Sequence, residues 1–246
     1  MQLPLKVIDR PMVWLFILSL LLSFLFAGCN TQEKDFLSVL VFSKTAGFRH
    51  ASIKDGKQMF YRMAEEHNFK VDTSEDASIF NRKDLQKYNV IVFLSTTGDI
   101  LNDEQETALR QFMQAGGGWL GIHAAADTEY EWSWYNQLVG AYFNGHPNNP
   151  NVRTADIIVD DRNHPATAHL PDRWERSDEW YNYKNIQQFK TLMRMDETTY
   201  EGGTNGENHP ISWHREFENG RMFYTGLGHT EASFTEEAFV EHVWGG

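Results

Sequence analysis

The chain has 246 residues, a formal net charge of −12 at pH 7 and one cysteine. The acidic balance disfavours nucleic acid as a partner, because phosphates repel a negatively charged protein. A single cysteine excludes an intrachain disulfide, and a chain of this length can bury a full hydrophobic core without one. The sequence has no internal repeat or linker, so we expect one domain after the N-terminal segment.

The N-terminal residues indicate export and lipidation. The basic residues Lys6 and Arg10 precede an apolar run from Met12 to Phe26. This run is too short and too close to the N-terminus to be a confident membrane span. Small residues then stand directly before Cys29, and this resembles the lipobox of bacterial lipoproteins. We predict a signal peptide over residues 1–28 and a lipidated cysteine with its tether over residues 29–35, on the periplasmic or surface side of a bacterial cell envelope. The alternative is an uncleaved anchor helix with a chance cysteine.

The next part of the chain alternates apolar runs with amphipathic segments. The pattern predicts a short helical turn at 85–88, strands at 36–42, 69–71, 90–94 and 119–122, and helices at 53–67 and 103–114. Asn102 is placed to cap the second helix. This alternation favours an α/β fold with a mostly parallel central sheet and helices on both faces.

The second half of the chain is more mixed. We predict a strand at 152–159, two strands at 211–217 and 222–226, and a closing helix at 236–244. The pair of strands is joined through Asn219-Gly220, which is a strong hairpin signal. In open α/β sheets ligands bind at the carboxyl ends of the strands, so we expect the site in the loops that follow them.

A turn with one polar residue at its apex follows the strand at 119–122. The segment from Gly116 to Thr128 reads GGGWLGIHAAADT, which is typical of a buried strand that turns tightly into a helix and presents His123. An imidazole can bind a metal or carry a proton, but it replaces a nucleophilic thiolate poorly in amide hydrolysis.

Three histidines follow predicted strands. His50, His123 and His229 each lie where a loop can converge with the other two. Three imidazoles could hold one divalent ion, zinc by preference, and leave a position open for water or substrate. Each histidine could instead be a hydrogen-bonded structural group.

Acidic residues near these loops are candidates for proton transfer. Glu179 lies among aromatic residues in SDEWYNY, where burial would raise its pKa, and Asp127 follows His123 by about one helical turn. Asp99 follows another strand end and is a candidate substrate contact. Asp99 and Asp127 could alternatively cap a loop or helix.

Aromatic residues are candidates for sugar binding. Trp180 and Tyr181 accompany Glu179, and flat apolar rings beside polar groups suit the C–H faces of sugars. His214 would line the cleft or face solvent depending on the register of its strand, and we include it as a substrate-binding candidate. Core packing is the alternative explanation for each ring.

Several segments in order resemble the ThuA-like (trehalose utilisation) family, which has a class I glutamine amidotransferase-like, flavodoxin-like fold. They include GFRH, GGGWLGIHAAADT, LVGAYFNGHP, DEWYNY, PISWHREF and GRMFYTGLGHT, and the resemblance covers roughly residues 36–244. It implies that the family's signature residues are His50, His123, Glu179 and His229. It also implies carbohydrate metabolism, with a sugar oxidoreductase as a possible partner.

These observations predict a domain over residues 36–246 that is an envelope-anchored enzyme acting on a (keto-)sugar or glycoside. The chemistry would be metal-assisted hydrolysis, elimination or isomerisation. A lipoprotein that binds a saccharide without turnover is the alternative. Glutamine amidotransferase activity is disfavoured because no cysteine stands at the apex of the turn, and a serine hydrolase is disfavoured because no serine stands there.

Overall fold

The computed structural model describes Gln2 and residues 36–246. The predicted signal peptide, the lipidated Cys29 and its tether lie outside these residues. Within the part of the chain that is described, no helix has both the length and the apolar character needed to cross a membrane.

Eleven strands and five α-helices make up the described domain. The strands are β1 (Ser38–Phe42), β2 (Lys70–Ser74), β3 (Val90–Leu94), β4 (Gly118–Ile122), β5 (Tyr142–Phe143), β6 (Val152–Val159), β7 (Arg173–Glu179), β8 (Tyr183–Lys184), β9 (Lys190–Met195), β10 (Pro210–Phe217) and β11 (Gly220–Thr225). The helices are α1 (Ile53–His67), α2 (Arg82–Leu85), α3 (Asp103–Gln114), α4 (Ser133–Val139) and α5 (Glu237–Gly245).

Nine of the strands form one sheet in the order β2-β1-β3-β4-β11-β10-β9-β6-β7. Neighbouring strands from β2 to β11 are parallel, and neighbouring strands from β11 to β7 are antiparallel. Only β10 and β6 therefore run against the common direction in this sheet. The predicted mostly parallel α/β architecture is confirmed.

The parallel half of the sheet forms because its strands are nearly continuous apolar runs. The last four residues of β1, β3 and β4 are buried, which requires cover on both faces of the sheet. Helix α1 spans the predicted range and buries Ile53, Met59, Phe60 and Met63 against this sheet. Helix α3 begins at a capping box, in which the Asn102 side chain accepts from Gln105 N and the Gln105 side chain accepts from Asn102 N.

Some elements differ from the sequence prediction for local reasons. The helical turn lies at Arg82–Leu85 because the Asn81 side chain caps it by accepting from Asp84 N. Phe217 pairs with Gly220, so the hairpin loop is Glu218-Asn219, and Gly220 belongs to β11. Strand β7 escaped prediction because its buried positions include polar side chains, and its RWERSDE sequence has the alternation of an antiparallel strand without the expected apolar residues.

The β6–β7 hairpin carries residues to the carboxyl edge of the parallel strands. Strand β6 pairs with β9 only over Ile157–Val159, whereas its pairing with β7 continues to Val152 and Glu179. The end of the hairpin therefore extends beyond its pairing with β9. Glu179 at the end of β7 lies 3.3 Å from His123, which follows β4. The sheet brings together residues whose strands are not neighbours in it.

Candidate functional site

His123 is held rigidly at the apex of the β4 turn. It is fully buried and has a φ of +50°, a conformation that a non-glycine residue adopts at a cost. The helix that the sequence predicted after this turn is a one-turn 3-10 helix, His123–Ala126. The ring Nδ1 lies 2.9 Å from Gly226 O and must donate to it, because a carbonyl oxygen only accepts. This hydrogen bond leaves Nε2 free to face the other site residues.

Glu179 and His229 complete a compact triangle of atoms with His123. Glu179 Oε2 lies 3.3 Å from His123 Nε2 and 3.1 Å from His229 Nδ1, and the two nitrogens are 3.2 Å apart. Charge-assisted hydrogen bonds are shorter, about 2.7–2.9 Å. Two ligand atoms that share a zinc ion at its usual bond lengths lie roughly 3.0–3.5 Å apart. The triangle has the dimensions of a ligand set around one cation.

His50 brings a fourth side chain to this group. Its ring centroid lies 4.9 Å from that of His123 and 5.2 Å from that of His229. One ligand atom from each of His50, His123, His229 and Glu179 lies within 4.8 Å of the others. The buried Nδ1 of His50 has no hydrogen-bond partner among the residues that the structure describes. An orphaned nitrogen beside a nitrogen and oxygen donor set fits a divalent metal such as zinc.

The charges of the site favour a neutral His50 and an ionised Glu179. Burial, with a smaller contribution from the neighbouring imidazoles of His123 and His229, lowers the pKa of His50 to about 3. Burial raises the pKa of Glu179, but hydrogen bonds from His123 and His229 outweigh this and hold it well below its usual range. For His229, burial lowers the pKa, and the hydrogen bond and charge of Glu179 more than offset it. The expectation of a raised pKa for Glu179 was wrong, because its partners stabilise the carboxylate.

Asp178 fixes the backbone of two of these residues. Its fully buried carboxylate accepts hydrogen bonds from Glu179 N at 3.0 Å and His229 N at 3.1 Å through Oδ1, and from Gly228 N at 2.9 Å through Oδ2. Arg176 Nη2 lies 3.3 Å from Oδ2 and balances the buried charge. Asp178 therefore sets the distance between the end of β7 and the loop after β11.

A pocket of about 410 Å³ opens onto His50, Glu179 and His229, and the fourth residue, His123, lies buried behind them. This volume lies within the range of about 300–1,000 Å³ that small-molecule sites occupy. Asp127 and Tyr181, both predicted site residues, line it together with His50, His229 and Glu179. Burial raises the pKa of Asp127 despite the hydrogen bond that the Tyr130 hydroxyl donates to it at 2.5 Å. The pocket thus contains a second carboxyl group, one whose protonated form is favoured by burial.

Three predicted substrate contacts lie elsewhere. Trp180 is fully buried and its Nε1 donates to Arg153 O at 2.8 Å, so its neighbour Tyr181 faces the pocket instead. His214 packs against His164, with ring centroids 4.5 Å apart, because the register of β10 directs it there. Asp99 is exposed beside Glu129. The substrate-binding expectations for Trp180, His214 and Asp99 are corrected accordingly.

The structure adds pocket residues that the sequence analysis did not single out. Phe48, Phe143 and His146 line the cavity, together with the loop 148–151. Asn151 Nδ2 donates to Glu179 Oε1 at 2.7 Å, and His146 Nδ1 lies 3.6 Å from the same oxygen. The signal for Phe48 and His146 was their place in the GFRH and LVGAYFNGHP segments, whose individual side chains had no assigned role.

Comparisons with known proteins agree with this fold. A family model described as ThuA, trehalose utilisation, matches residues 38–246. A ThuA-like protein from Bacteroides uniformis is 23% identical, with 85% of this chain and 89% of that chain covered and a TM-score of 0.72. A ThuA-like protein from Parabacteroides merdae is 20% identical, with 85% and 88% covered and a TM-score of 0.66. At these identities the likeness is one of fold. A comparison with curated proteins finds no match.

Proposed function

The chain belongs to the ThuA (trehalose utilisation) family, and on this premise we propose that it is an envelope-anchored enzyme acting on a (keto-)sugar or glycoside beside a divalent metal ion. The family description makes a role in carbohydrate metabolism plausible. The reaction would be a metal-assisted hydrolysis, elimination or isomerisation. The observation that carries the proposal is the triangle of His123 Nε2, His229 Nδ1 and Glu179 Oε2, with sides of 3.1–3.3 Å.

His50, His123, His229 and Glu179 would hold the ion. Their three nitrogens and one oxygen suit zinc, and when bound the ion would polarise a substrate oxygen or activate water. The Nδ1 hydrogen bond to Gly226 O orients His123, and Asp178 positions the backbone of Glu179 and His229. The site is therefore organised before a ligand arrives, which is the condition under which electrostatic stabilisation costs least.

The proton-transfer role falls to Asp127 in this proposal. Glu179 is engaged with two imidazoles and Asn151, so its carboxylate serves as a ligand and has little freedom to act as a base. Asp127 lines the same pocket, and burial raises its pKa above the ordinary value of a carboxyl group, which makes it the better candidate to take up and release a proton. The Tyr130 hydroxyl fixes the orientation of Asp127 through Oδ1.

The proposed location on the cell envelope and the proposed partner enzyme are based on the sequence alone. Lipidation of Cys29 would hold the domain on a bacterial envelope membrane, and a sugar oxidoreductase acting on keto-sugars would be a functional partner. Mass spectrometry of the protein purified from membranes tests the first part. A mature chain that begins at Cys29 with attached acyl chains is expected, and an unmodified cysteine in an uncleaved chain contradicts it.

Turnover of sugars by the purified protein tests the catalytic proposal. Chelation should abolish conversion of neutral and keto-sugar glycosides, and zinc should restore it. His214→Ala is a suitable control because His214 lies away from the pocket and should retain activity. Full activity in a metal-free protein would remove the ion from the proposal. Saturable sugar binding without any product would favour the saccharide-binding lipoprotein over an enzyme.

A further inference from the structure

Phe48 presents an exposed aromatic ring at the mouth of the pocket. Its side chain is 67% exposed, the highest value among the large hydrophobic residues that the structure describes. It nevertheless lines the pocket onto which three of the four clustered side chains, His50, Glu179 and His229, open. An isolated exposed hydrophobic residue needs no explanation, but one at the entrance of a polar pocket offers a ligand an apolar surface.

The backbone that carries Phe48 is fixed, although the ring is free. Buried Thr97 donates through Oγ1 to Phe48 O at 2.8 Å and accepts through the same oxygen from Gly47 N at 3.2 Å. Ala46 N donates to Thr97 O at 2.7 Å. The Phe48 ring meets His50 at 83° with centroids 4.8 Å apart, so the two rings are not stacked face to face. The loop therefore fixes the backbone of Phe48 and leaves its ring exposed.

Aromatic and amide groups form other walls of the pocket. Phe143 packs against Tyr181 with ring centroids 4.2 Å apart. Asn148, Asn149 and Asn151 line the pocket beside them, and amides both donate to and accept from hydroxyl groups. Flat apolar surfaces combined with amides match a sugar, which has C–H faces and a rim of hydroxyls.

The charges around the pocket disfavour an anionic sugar. Within residues 36–246, the side chains that line it include Asp127 and Glu179 but no lysine or arginine. Arg49, next to Phe48, is paired through two nitrogens with Glu75 at 2.8 and 2.9 Å. Arg153 donates to Asn148 O and Pro150 O, both at 3.1 Å, and these hydrogen bonds stabilise the backbone of the loop 148–151. When the four clustered residues hold a divalent ion, the carboxylates of Glu179 and Asp127 balance its charge, so a phosphate or carboxylate elsewhere on the ligand would find no lysine or arginine to pair with.

We propose that Phe48 is the stacking face for the sugar ring and that the amide side chains of 148–151 bind its hydroxyls, which makes the pocket selective for uncharged sugars. This proposal rests on the proposed function, in which the pocket takes a sugar. It identifies Phe48 as the residue that positions the sugar ring, and it predicts that the bound sugar carries no charged substituent.

Calorimetric binding to the purified full chain tests the role of Phe48, with trehalose and a panel of other neutral disaccharides as probes. Phe48→Ala and Phe48→Leu should weaken binding about tenfold because both remove the flat face, whereas Phe48→Trp should retain it. Phe36→Ala is the matched control, since Phe36 is also exposed but does not line the pocket. Zinc affinity should stay unchanged in all four variants. Unchanged sugar binding in Phe48→Ala overturns the proposal.

Charged sugars test the selectivity. Trehalose 6-phosphate and glucuronate should bind at least about tenfold more weakly than their neutral counterparts. Stronger binding of either charged sugar overturns the selectivity for uncharged sugars while leaving a sugar-metabolising protein in place. Failure of every sugar, neutral or charged, to bind a protein that still binds zinc refutes the carbohydrate role itself and this proposal with it.

Discussion

The carboxylate of Asp178 holds the backbone of His229, with Oδ1 3.1 Å from the amide nitrogen. The two residues are 51 positions apart in the chain, and the same oxygen also accepts from Glu179 N. One buried side chain therefore joins the end of β7 to the loop after β11. The spacing between Glu179 and His229 depends on this link.

Asp178→Asn should weaken zinc binding. With its oxygen in place of Oδ1 the amide keeps two acceptor contacts, but its NH₂ group then faces Gly228 N and Arg176, which are both donors. Loss of an orienting partner of metal ligands costs about 10- to 100-fold in affinity. Calorimetric zinc titration measures the change, and circular dichroism checks that the variant is folded. Asp172→Asn is the matched control because its side chain is 84% exposed. A folded Asp178→Asn protein with unchanged zinc affinity contradicts the positioning role.

Asp127→Asn should slow sugar turnover and spare metal binding. Loss of a positioned proton-transfer group typically lowers the rate about 10²- to 10⁴-fold. Asp99→Asn is the control, since Asp99 is an exposed aspartate that does not line the pocket. Steady-state kinetics and zinc titration on both variants separate the two effects. Equal turnover in Asp127→Asn and the parent protein would assign proton transfer to another group.

Trp180→Phe should destabilise the fold without changing sugar affinity. Trp180 is fully buried, and the substitution removes part of its volume and its hydrogen bond to Arg153 O. A loss of about 1–3 kcal/mol in the free energy of unfolding is expected. Denaturant unfolding and calorimetric sugar binding give the two readings. A Trp180→Phe variant that is as stable as the parent but no longer binds sugar would show that Trp180 is a ligand-binding residue.

The buried His242 should make stability depend on pH below neutrality. Burial lowers its pKa to about 3, against an ordinary value of 6.5, while Nδ1 donates to Ala166 O. Between these values the unfolded chain binds a proton that the folded chain does not, so stability is lost as pH falls from 6.5 towards 3. His242→Gln should reduce the slope of unfolding free energy against pH by about 1 kcal/mol per unit in this window, and the exposed-site variant His67→Gln should not. Parallel slopes for His242→Gln and the parent would contradict this account.

The sequence predicted the parallel half of the fold well because burial on both faces leaves a strong apolar signal there. Helix α1 and strand β3 have the predicted bounds, and β4 begins one residue before its predicted start. The β6–β7 hairpin was less predictable. Its second strand buries Arg176, Asp178 and Glu179, whose burial depends on partners from the loop after β11 and could not be read from β7 alone.

The sequence predicted which residues form the candidate site, but it did not predict the chemical role of each residue. Histidines that follow parallel strands converge because those strands end at one edge, and the structure brings His50, His123 and His229 together with Glu179. The low pKa of Glu179 could not be foreseen, since it depends on hydrogen bonds from residues distant in the chain. The choice between Trp180 and Tyr181 also required the structure, because neighbouring residues near a strand end point to opposite sides.

Metal content of the full chain, measured by elemental analysis and zinc titration, tests the central claim most directly. We expect a single tightly bound zinc ion per chain, with binding lost in His229→Ala and Glu179→Ala and retained in His214→Ala. Absence of metal binding in the folded parent protein, or equal binding in all three variants, would contradict a metal centre at His50, His123, Glu179 and His229.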